Sequence, residues 1–299
     1  GSDVERCDSG QIMLYATPDT NGTSIRWYDV ASNGSIVGSG NNFENKFTET
    51  KTYYAESYND TTGCAAAQRK AIKGIVVTQA QITQNPQNAR ICNNGNTSFS
   101  VIASNSKSYQ WEVKKAGTTA WYPILEAGGN PTYAGWNTNT LTLSVVPSSQ
   151  NDNLFRCIVG STPCDNIISE EAVLQVSNID VTPSVNDVIC KGSLTGIINA
   201  QIKNGIGNYT VILKKQGETK SSFLYDITNI AEFTGLDSGI YSLEVIDEAL
   251  CSRVVDSIEV LEPKIALTSQ IIDSKNPMCF GSTDGSITVH AQDGWEHFT

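Results

Sequence analysis

The side chains that most often carry enzyme chemistry are scarce in this sequence. Its two histidines, His290 and His297, both lie near the C-terminal end, and His290 falls within an alternating strand pattern. The paired carboxylates Glu170 and Glu171 lie between predicted strands, where charged side chains are normally solvated. The sequence contains no GxSxG, HExxH, P-loop or GxGxxG motif. We therefore predict that the protein is not an enzyme and uses no cofactor.

Two short acidic segments carry the oxygen ligands that calcium prefers. They are residues 58–63 and residues 282–285. Neither segment completes an EF-hand loop, and Asn and Asp in such positions commonly form Asx turns instead. We predict turns at both places and no metal site.

Eight cysteines are the most informative reactive groups. They are Cys7, Cys64, Cys92, Cys157, Cys164, Cys190, Cys251 and Cys279. No CxxC pair occurs, so neither a zinc ribbon nor a thioredoxin-like redox site is indicated. Their number alone leaves many pairings open, but their spacing favours one long-range bridge in each module. Such bridges form in oxidising compartments, so we expect an exported protein.

The composition restricts the partners of the chain. The net charge is −11, and no basic stripe replaces the counterions of a nucleic acid, so we expect no nucleic-acid partner. No apolar run approaches the ~20 residues that cross a bilayer, so we expect no membrane insertion of these residues. Polar turn-forming residues are abundant and charged residues make up only 17%, which favours β-strands joined by short turns.

The pattern of strands predicts a row of small β-sandwiches. We place an Ig-like module at 3–78, a second at 79–178, a third module at 179–264 and the start of a fourth at 265–299. About seven short strands with a tryptophan in the third, Trp27 or Trp111, are typical of an immunoglobulin-like sandwich. The fold class is therefore all-β, in tandem disulfide-stapled immunoglobulin-like modules.

An internal repeat defines the last two modules. A shift of 89 residues places 190–198 on 279–287 without a gap, and apolar positions alternate in both copies. The short fourth segment cannot bury a core alone.

Two loop aromatics, Tyr133 and Trp136, are the candidate ligand contacts. They lie between a Gly- and Pro-containing segment and the strand that starts near Leu141. A loop tryptophan could stack on a sugar or on a surface, or pack on its own domain.

Each module contains short motifs that carry a family resemblance. They are residues 7–10, 26–29, 52–54 and 62–64; 91–95, 109–111, 141–143 and 155–157; and 190–192, 239–241, Asp247, Cys251 and 279–287. Through these motifs the first two modules resemble bacterial Ig-like domains, and the third and fourth resemble SprB-type repeats. The combination resembles giant Bacteroidota cell-surface adhesins of the gliding-motility (SprB-like) type. The resemblance implies a cell-surface filament exported by the type IX system.

The resemblance also implies a set of disulfides. They are Cys7–Cys64, Cys92–Cys164 and Cys190–Cys251, with Cys157 as a small buried hydrophobe and Cys279 unpaired. An immunoglobulin-style bridge from Cys92 to Cys157 is the alternative.

Together these features predict a non-catalytic segment of an extracellular cell-surface adhesin. It would act in surface attachment or gliding motility as adhesive surface or stalk. The expected partners are an abiotic surface or a polysaccharide and the neighbouring modules of the same filament. The alternative is a set of accessory or spacer Ig-like modules of a secreted polysaccharide-degrading enzyme.

Overall fold

The computed structural model describes residues 1–125 and 130–295, so His297 lies outside the described residues. Nearly all regular structure in these ranges is β-strand, which confirms the all-β prediction. Strands form where apolar residues alternate with polar ones, and they end at Gly, Asn and Asp residues that adopt turn conformations.

The first eight strands build a sandwich from residues 4–77. They are β1 (Val4–Cys7), β2 (Gly10–Tyr15), β3 (Ser24–Tyr28), β4 (Gly38–Ser39), β5 (Asn42–Phe47), β6 (Lys51–Asn59), β7 (Cys64–Ala65) and β8 (Lys70–Val77). One sheet has the order β1-β8-β6-β3-β4, with β7 paired to β6, and β2 pairs with β5 in the other. Strand β1 runs parallel to β8, whereas the other pairs are antiparallel.

The next eleven strands repeat this plan. They are β9 (Gln81–Gln84), β10 (Ala89–Cys92), β11 (Gly95–Ser100), β12 (Ile102–Ser104), β13 (Ser108–Lys114), β14 (Tyr122–Pro123), β15 (Thr132–Ala134), β16 (Thr140–Val146), β17 (Asn153–Ser161), β18 (Cys164–Ile168) and β19 (Ala172–Ser177). A 3₁₀ helix, Ser148–Gln150, precedes β17. The main sheet has the order β10-β19-β17-β13-β14, with β18 paired to β17. Two smaller sheets have the orders β11-β16-β15 and β12-β9.

The remaining strands form a third sandwich and a hairpin. They are β20 (Asp180–Asn186), β21 (Gly196–Lys203), β22 (Tyr209–Lys215), β23 (Ser221–Ile227), β24 (Ile230–Leu236), β25 (Gly239–Asp247), β26 (Ser252–Val260), β27 (Thr268–Lys275) and β28 (Ser286–Gln292). The sandwich pairs a β20-β21-β24 sheet with a β23-β22-β25-β26 sheet. The β27–β28 hairpin is exposed along its whole length.

Each sandwich buries its own aromatic or aliphatic core. Trp27 and Trp111 are both fully buried, which confirms their predicted place in the sandwich cores. The Trp27 ring lies 5.4 Å from that of Phe43. In the next sandwich Phe99 stacks on Phe155 at 4.8 Å. Burial of such rings stabilises each module by roughly 2–3 kcal/mol per side chain.

Two compact units make up the chain. One contains residues 1–89, 96–146 and 152–174, and the other contains 90–95, 147–151 and 175–299. Both therefore combine segments from different predicted modules. The boundaries at 78, 178 and 264 stay predictions.

The internal repeat is visible in the local geometry. The Ser193 N–H donates to the Cys190 carbonyl at 3.0 Å, and the Ser282 N–H donates to the Cys279 carbonyl at 3.1 Å. Strand β28 thus follows the same turn as strand β21. The Trp295 indole N–H reaches back to the Val188 carbonyl at 3.1 Å.

The disulfides differ from the predicted set, which was wrong in its pairing. Cys7 bonds with Cys164 and Cys92 bonds with Cys251, with Cα–Cα distances of 4.8 and 5.4 Å. Cys64 and Cys190 are exposed free thiols. The bridges therefore connect different predicted modules instead of closing loops within one module.

The parallel pairing of the first strand explains why Cys7 cannot reach Cys64. Cys7 lies beside Val77, at the C-terminal end of β8. Cys64 lies beside Asn59, at the end of β6 that neighbours the start of β8. The eight residues of β8 separate the two ends by about 25 Å. A disulfide requires Cα atoms within about 7 Å.

The third sandwich separates its two cysteines in the same way. The Val188 N–H donates to the Leu261 carbonyl at 2.9 Å, so Cys190 lies near the C-terminal end of β26. Cys251 directly precedes β26. The nine residues of that strand keep Cys190 and Cys251 apart.

Candidate binding surface and module joints

The predicted ligand contacts Tyr133 and Trp136 lie in and directly after strand β15. Tyr133 belongs to β15, and the Trp136 carbonyl accepts a hydrogen bond from the Trp111 N–H at 2.9 Å. Both side chains are half-buried, and burial raises the pKa of Tyr133. Their contact with a ligand stays a prediction.

Gly135 fixes the path of this loop. Its φ is +71°, and a Cβ at this position would come within 2.2 Å of the Thr140 carbonyl oxygen. Only glycine adopts this conformation there without a backbone shift. The aromatic residues on either side of it are therefore held in place by the backbone.

A more accessible aromatic pair lies on the third sandwich. Phe223 and Tyr225 are 49% and 65% exposed, and they occupy alternate positions of the edge strand β23. Their ring planes are nearly parallel, at an angle of 6°, and the stacked rings have centroids 6.2 Å apart. Leu224 and Ile227 pack against the core. Phe223 and Tyr225 therefore form an exposed, stacked aromatic pair, which we call the aromatic platform.

The strands beside the platform continue this face of the sheet with both aliphatic and charged side chains. Ile212 lies opposite Phe223 in the neighbouring strand β22, and Glu244 lies opposite Ile212 in β25. Val254, opposite Glu244 in β26, is 47% exposed. Flat aromatic faces flanked by aliphatic side chains can stack on sugar rings or on apolar surfaces.

The platform was not identified from the sequence. In residues 221–227 the apolar side chains occupy both faces of the strand, so the alternation that distinguishes inside from outside is weak. The one sequence signal was the spacing of Phe223 and Tyr225, which are two residues apart. Two residues with this spacing lie on the same face of a sheet if the segment is a strand.

The half-buried Trp121 is already engaged by charged side chains. The Trp121 ring lies 4.1 Å from the Arg156 guanidinium carbon and 4.8 Å from the Lys114 ammonium. Arg156 pairs with Glu112 at 2.7 Å, and Lys114 pairs with Glu171 at 3.1 Å. This cation–π cluster holds the loop before β14 against the sheet.

The first acidic segment forms the predicted turn, whereas residues 282–285 are irregular backbone with a bend at Thr283. The Asn59 side-chain oxygen accepts the N–H groups of Thr61 and Thr62, both at 3.0 Å. In the second segment, hydrogen bonds from the Ser282 hydroxyl and the Met278 N–H hold the pKa of the Asp284 carboxyl below its usual value. In residues 1–125 and 130–295, no three His, Cys, Asp or Glu side chains are placed to hold a metal ion.

A tyrosine fixes the turn between β24 and β25. The Tyr241 hydroxyl donates to the Asp237 carbonyl and carboxylate at 2.9 and 2.8 Å. Hydrogen bonds from Lys215 and then Tyr241 lower the pKa of Asp237. Burial, followed by the hydrogen bond to Asp237, raises the pKa of Tyr241. This is the tyrosine-corner arrangement of immunoglobulin sandwiches.

We expect Tyr241→Phe to lower the free energy of unfolding by about 1 kcal/mol at neutral pH, because one buried hydrogen bond is lost. The contribution of Tyr241 is fully present below pH 10.0, its ordinary pKa, and it is lost as pH rises through the raised value. The difference from wild type should therefore narrow in strong alkali, as followed by urea unfolding. A difference that stays constant with rising pH would contradict this assignment.

The free cysteines fall into two classes. Cys157 lies fully buried in β17, which confirms its prediction as a small buried hydrophobe. Burial raises the pKa of its thiol to about 12. Cys64, Cys190 and Cys279 are exposed.

We expect iodoacetamide to label the three exposed thiols of the native chain, leaving Cys157 unlabelled until urea is added. A pKa near 12 instead of 9.0 reduces the reactive thiolate of Cys157 about a thousandfold. Mass spectrometry of the labelled peptides measures this. Native labelling of Cys157 at the rate of Cys64 would contradict the buried position.

One family model matches the N-terminal part of the chain. Residues 2–77 match the family model described as "Ig-like domain CHU_C associated", a Bacteroidota-type Ig domain. The first module is therefore Ig-like. A search of curated proteins gives no match. No enzyme family matches either.

Several solved structures of tandem Ig domains resemble the chain. Sidekick-1 immunoglobulin domains 1–5 give a TM-score of 0.44 at 14% identity, over 85% of this chain and 56% of that one. The titin I-band fragment I67–I69 gives 0.47 at 12% identity, over 85% and 93%. Drosophila OTK extracellular domains 3–5 give 0.38 at 13% identity, over 87% and 94%. The present chain thus spans just over half the length of the Sidekick-1 chain.

The described residues contain no helix with the length and hydropathy needed to span a membrane.

Ig-like modules of this kind are typical of extracellular adhesion or spacer segments. Disulfides are likewise typical of oxidising, extracellular compartments.

Proposed function

We propose that this chain is a non-catalytic, load-bearing segment of an extracellular cell-surface adhesin that acts in surface attachment or gliding motility. The observation that carries the proposal is the pair of overlapping disulfides. Cys92 lies between Cys7 and Cys164 in the sequence, and Cys164 lies between Cys92 and Cys251. The two covalent loops therefore overlap and share residues 92–164.

The overlapping loops suit a filament under tension. Between the two bridges, residues 7–92, 92–164 and 164–251 connect the same two points in parallel. The shortest of these segments, residues 92–164, limits the extension of the chain even when its modules unfold. A filament segment with this covalent connectivity lengthens little under load, which preserves the reach and orientation of an adhesin.

The aromatic platform supplies a contact for the surface. Phe223 and Tyr225 expose uncharged, nearly parallel rings to solvent, and polysaccharides and apolar abiotic surfaces both offer faces that pack against aromatic rings. The segment then combines a stalk with an adhesive patch. Its other partners are the neighbouring modules of the filament.

Retention of the purified chain on glass, polystyrene and a panel of polysaccharides tests the adhesive role. We expect retention on at least one of these materials under conditions where a control protein of similar acidity is washed off. Retention on a single soluble polysaccharide, and on neither glass nor polystyrene, would favour the accessory-module alternative. No retention on any material would contradict the adhesive role. The stalk role would then depend on how far the chain extends when its two ends are pulled.

A further inference from the structure

The first two sandwiches place one cysteine at an equivalent position. Their main sheets have the same order, with β7 paired to β6 in the first and β18 paired to β17 in the second. Cys64 is the first residue of β7 and lies opposite Asn59, the last residue of β6. Cys164 is the first residue of β18 and lies opposite Ser161, the last residue of β17. Cys64 and Cys164 are therefore structural counterparts.

In the second sandwich this position receives the end of another module. Cys164 is bonded to Cys7, the last residue of β1. Ala80, in the segment after β8, is buried and donates its N–H to the Ser161 hydroxyl at 3.0 Å. Lys107 lies 3.8 Å from Glu5 of β1. The joint thus consists of a disulfide, a buried connecting segment and an ion pair.

The third sandwich repeats the joint with different residues. Cys251, between β25 and β26, bonds with Cys92, the last residue of β10. Arg90 of β10 lies 3.6 Å from Glu248. The two joints have the same plan. A cysteine at the end of the outer strand β1 or β10 bonds with a cysteine in the hairpin between the last strands of the following module.

The corresponding end of the first sandwich has the same construction. The Thr23 N–H donates to the Tyr58 carbonyl at 2.9 Å, as the Lys107 N–H donates to the Gly160 carbonyl at 2.8 Å. Residues 19–23 and 57–66 enclose a groove of about 710 Å³ that includes the exposed Cys64 thiol. The groove is polar, as expected of a surface that meets a backbone segment rather than a hydrophobic core.

We propose that this end of the first sandwich is a docking surface for another Ig-like module whose first strand ends in a cysteine, and that a disulfide to Cys64 closes the joint. The partner is defined by what the two counterpart positions of the same chain bind. The inference holds whether or not the chain belongs to an adhesin.

The closing step is a thiol–disulfide exchange with a low-molecular-weight disulfide such as oxidised glutathione. The partner thiolate attacks glutathione disulfide, which forms a mixed disulfide and releases one glutathione thiolate. The Cys64 thiolate then attacks the partner sulfur of that mixed disulfide and releases the second glutathione. Two protein thiols are oxidised, one glutathione disulfide is reduced to two thiols, and the protons pass to the glutathione.

An extended chain tests the proposal. Residues 1–88 are added in front of Val4 of the full chain, because Val4 and Ala89 begin equivalent four-residue strands and residues 79–88 supply the natural connecting segment. After equilibration in a glutathione redox buffer, non-reducing peptide mapping should find Cys7 of the addition bonded to Cys64 of the original first sandwich. The bonds Cys7–Cys164 and Cys92–Cys251 of the original chain should persist.

A second extension guards against failure of the added module to fold. It carries residues 1–178, closed by their own Cys7–Cys164 bond, before the same connecting segment. Here Cys92 of the addition is the expected partner of Cys64. In both extensions Cys64→Ser in the original sandwich should leave the added cysteine free. A Cys64 that stays free in both extended chains, or a bond between Cys7 and Cys64 within one added module, would overturn the proposal.

Discussion

Pulling on the two ends of the oxidised chain should extend it to less than half the length that the reduced chain reaches. The shortest covalent path crosses from Cys7 to Cys164, returns along the chain to Cys92 and crosses to Cys251. It contains about 130 of the 299 residues. At about 3.5 Å per extended residue the limits are about 450 Å and about 1,050 Å. Single-molecule force spectroscopy with and without reductant measures the difference.

Cysteine variants supply the controls for the pulling experiment. The double variant Cys7→Ser with Cys92→Ser should reach the full length without reductant, because both bridges are lost. The matched variant Cys157→Ser removes a free thiol and should keep the short limit. Full extension of the oxidised wild-type chain would show that the two overlapping disulfide loops do not exist.

Removal of the aromatic platform should weaken retention on the surface that the chain binds by about 30-fold. Each stacked ring contributes roughly 1 kcal/mol, so loss of both in Phe223→Ala with Tyr225→Ala removes roughly 2 kcal/mol. Both side chains are exposed, so the thermal midpoint should change little. Retention is measured as the equilibrium constant for binding to the selected polysaccharide or surface.

Two single variants separate the possible binding sites. Tyr122→Ala removes a similarly exposed aromatic, 51% accessible, from the second sandwich and should leave retention unchanged. Trp136→Ala tests the sequence-based candidate independently. Unchanged retention in the double platform variant, with a loss in Trp136→Ala, would move the adhesive contact to the loop of Tyr133 and Trp136.

Local sequence was enough to predict most of the fold. Alternation of apolar residues and the Asn-Gly turns placed β3 and β6 around Trp27, and β13 and β17 around Trp111, because such strands have one buried face. The 89-residue shift likewise predicted that β27–β28 repeats the start of the third sandwich. These features depend on neighbours in the sequence or on one sheet face.

The disulfides could not be predicted in this way because they depend on the direction of one strand. Cys7 and Cys64 are suitably spaced for a bridge within the module, but β1 runs parallel to β8 and carries Cys7 to the far end of the sheet. Only the parallel direction of the β1–β8 pairing shows that Cys7 and Cys64 lie at opposite ends of the sheet. The platform was missed for a related reason, since Phe223 and Tyr225 become a surface only when β23 is known to be an edge strand.

Peptide mapping of the unmodified chain under non-reducing conditions is the decisive test of the two disulfides between modules. We expect mass spectrometry to find Cys7 linked to Cys164 and Cys92 linked to Cys251, with Cys64, Cys157, Cys190 and Cys279 as free thiols. Linkage of Cys7 to Cys64, or of Cys92 to either Cys157 or Cys164, would contradict it.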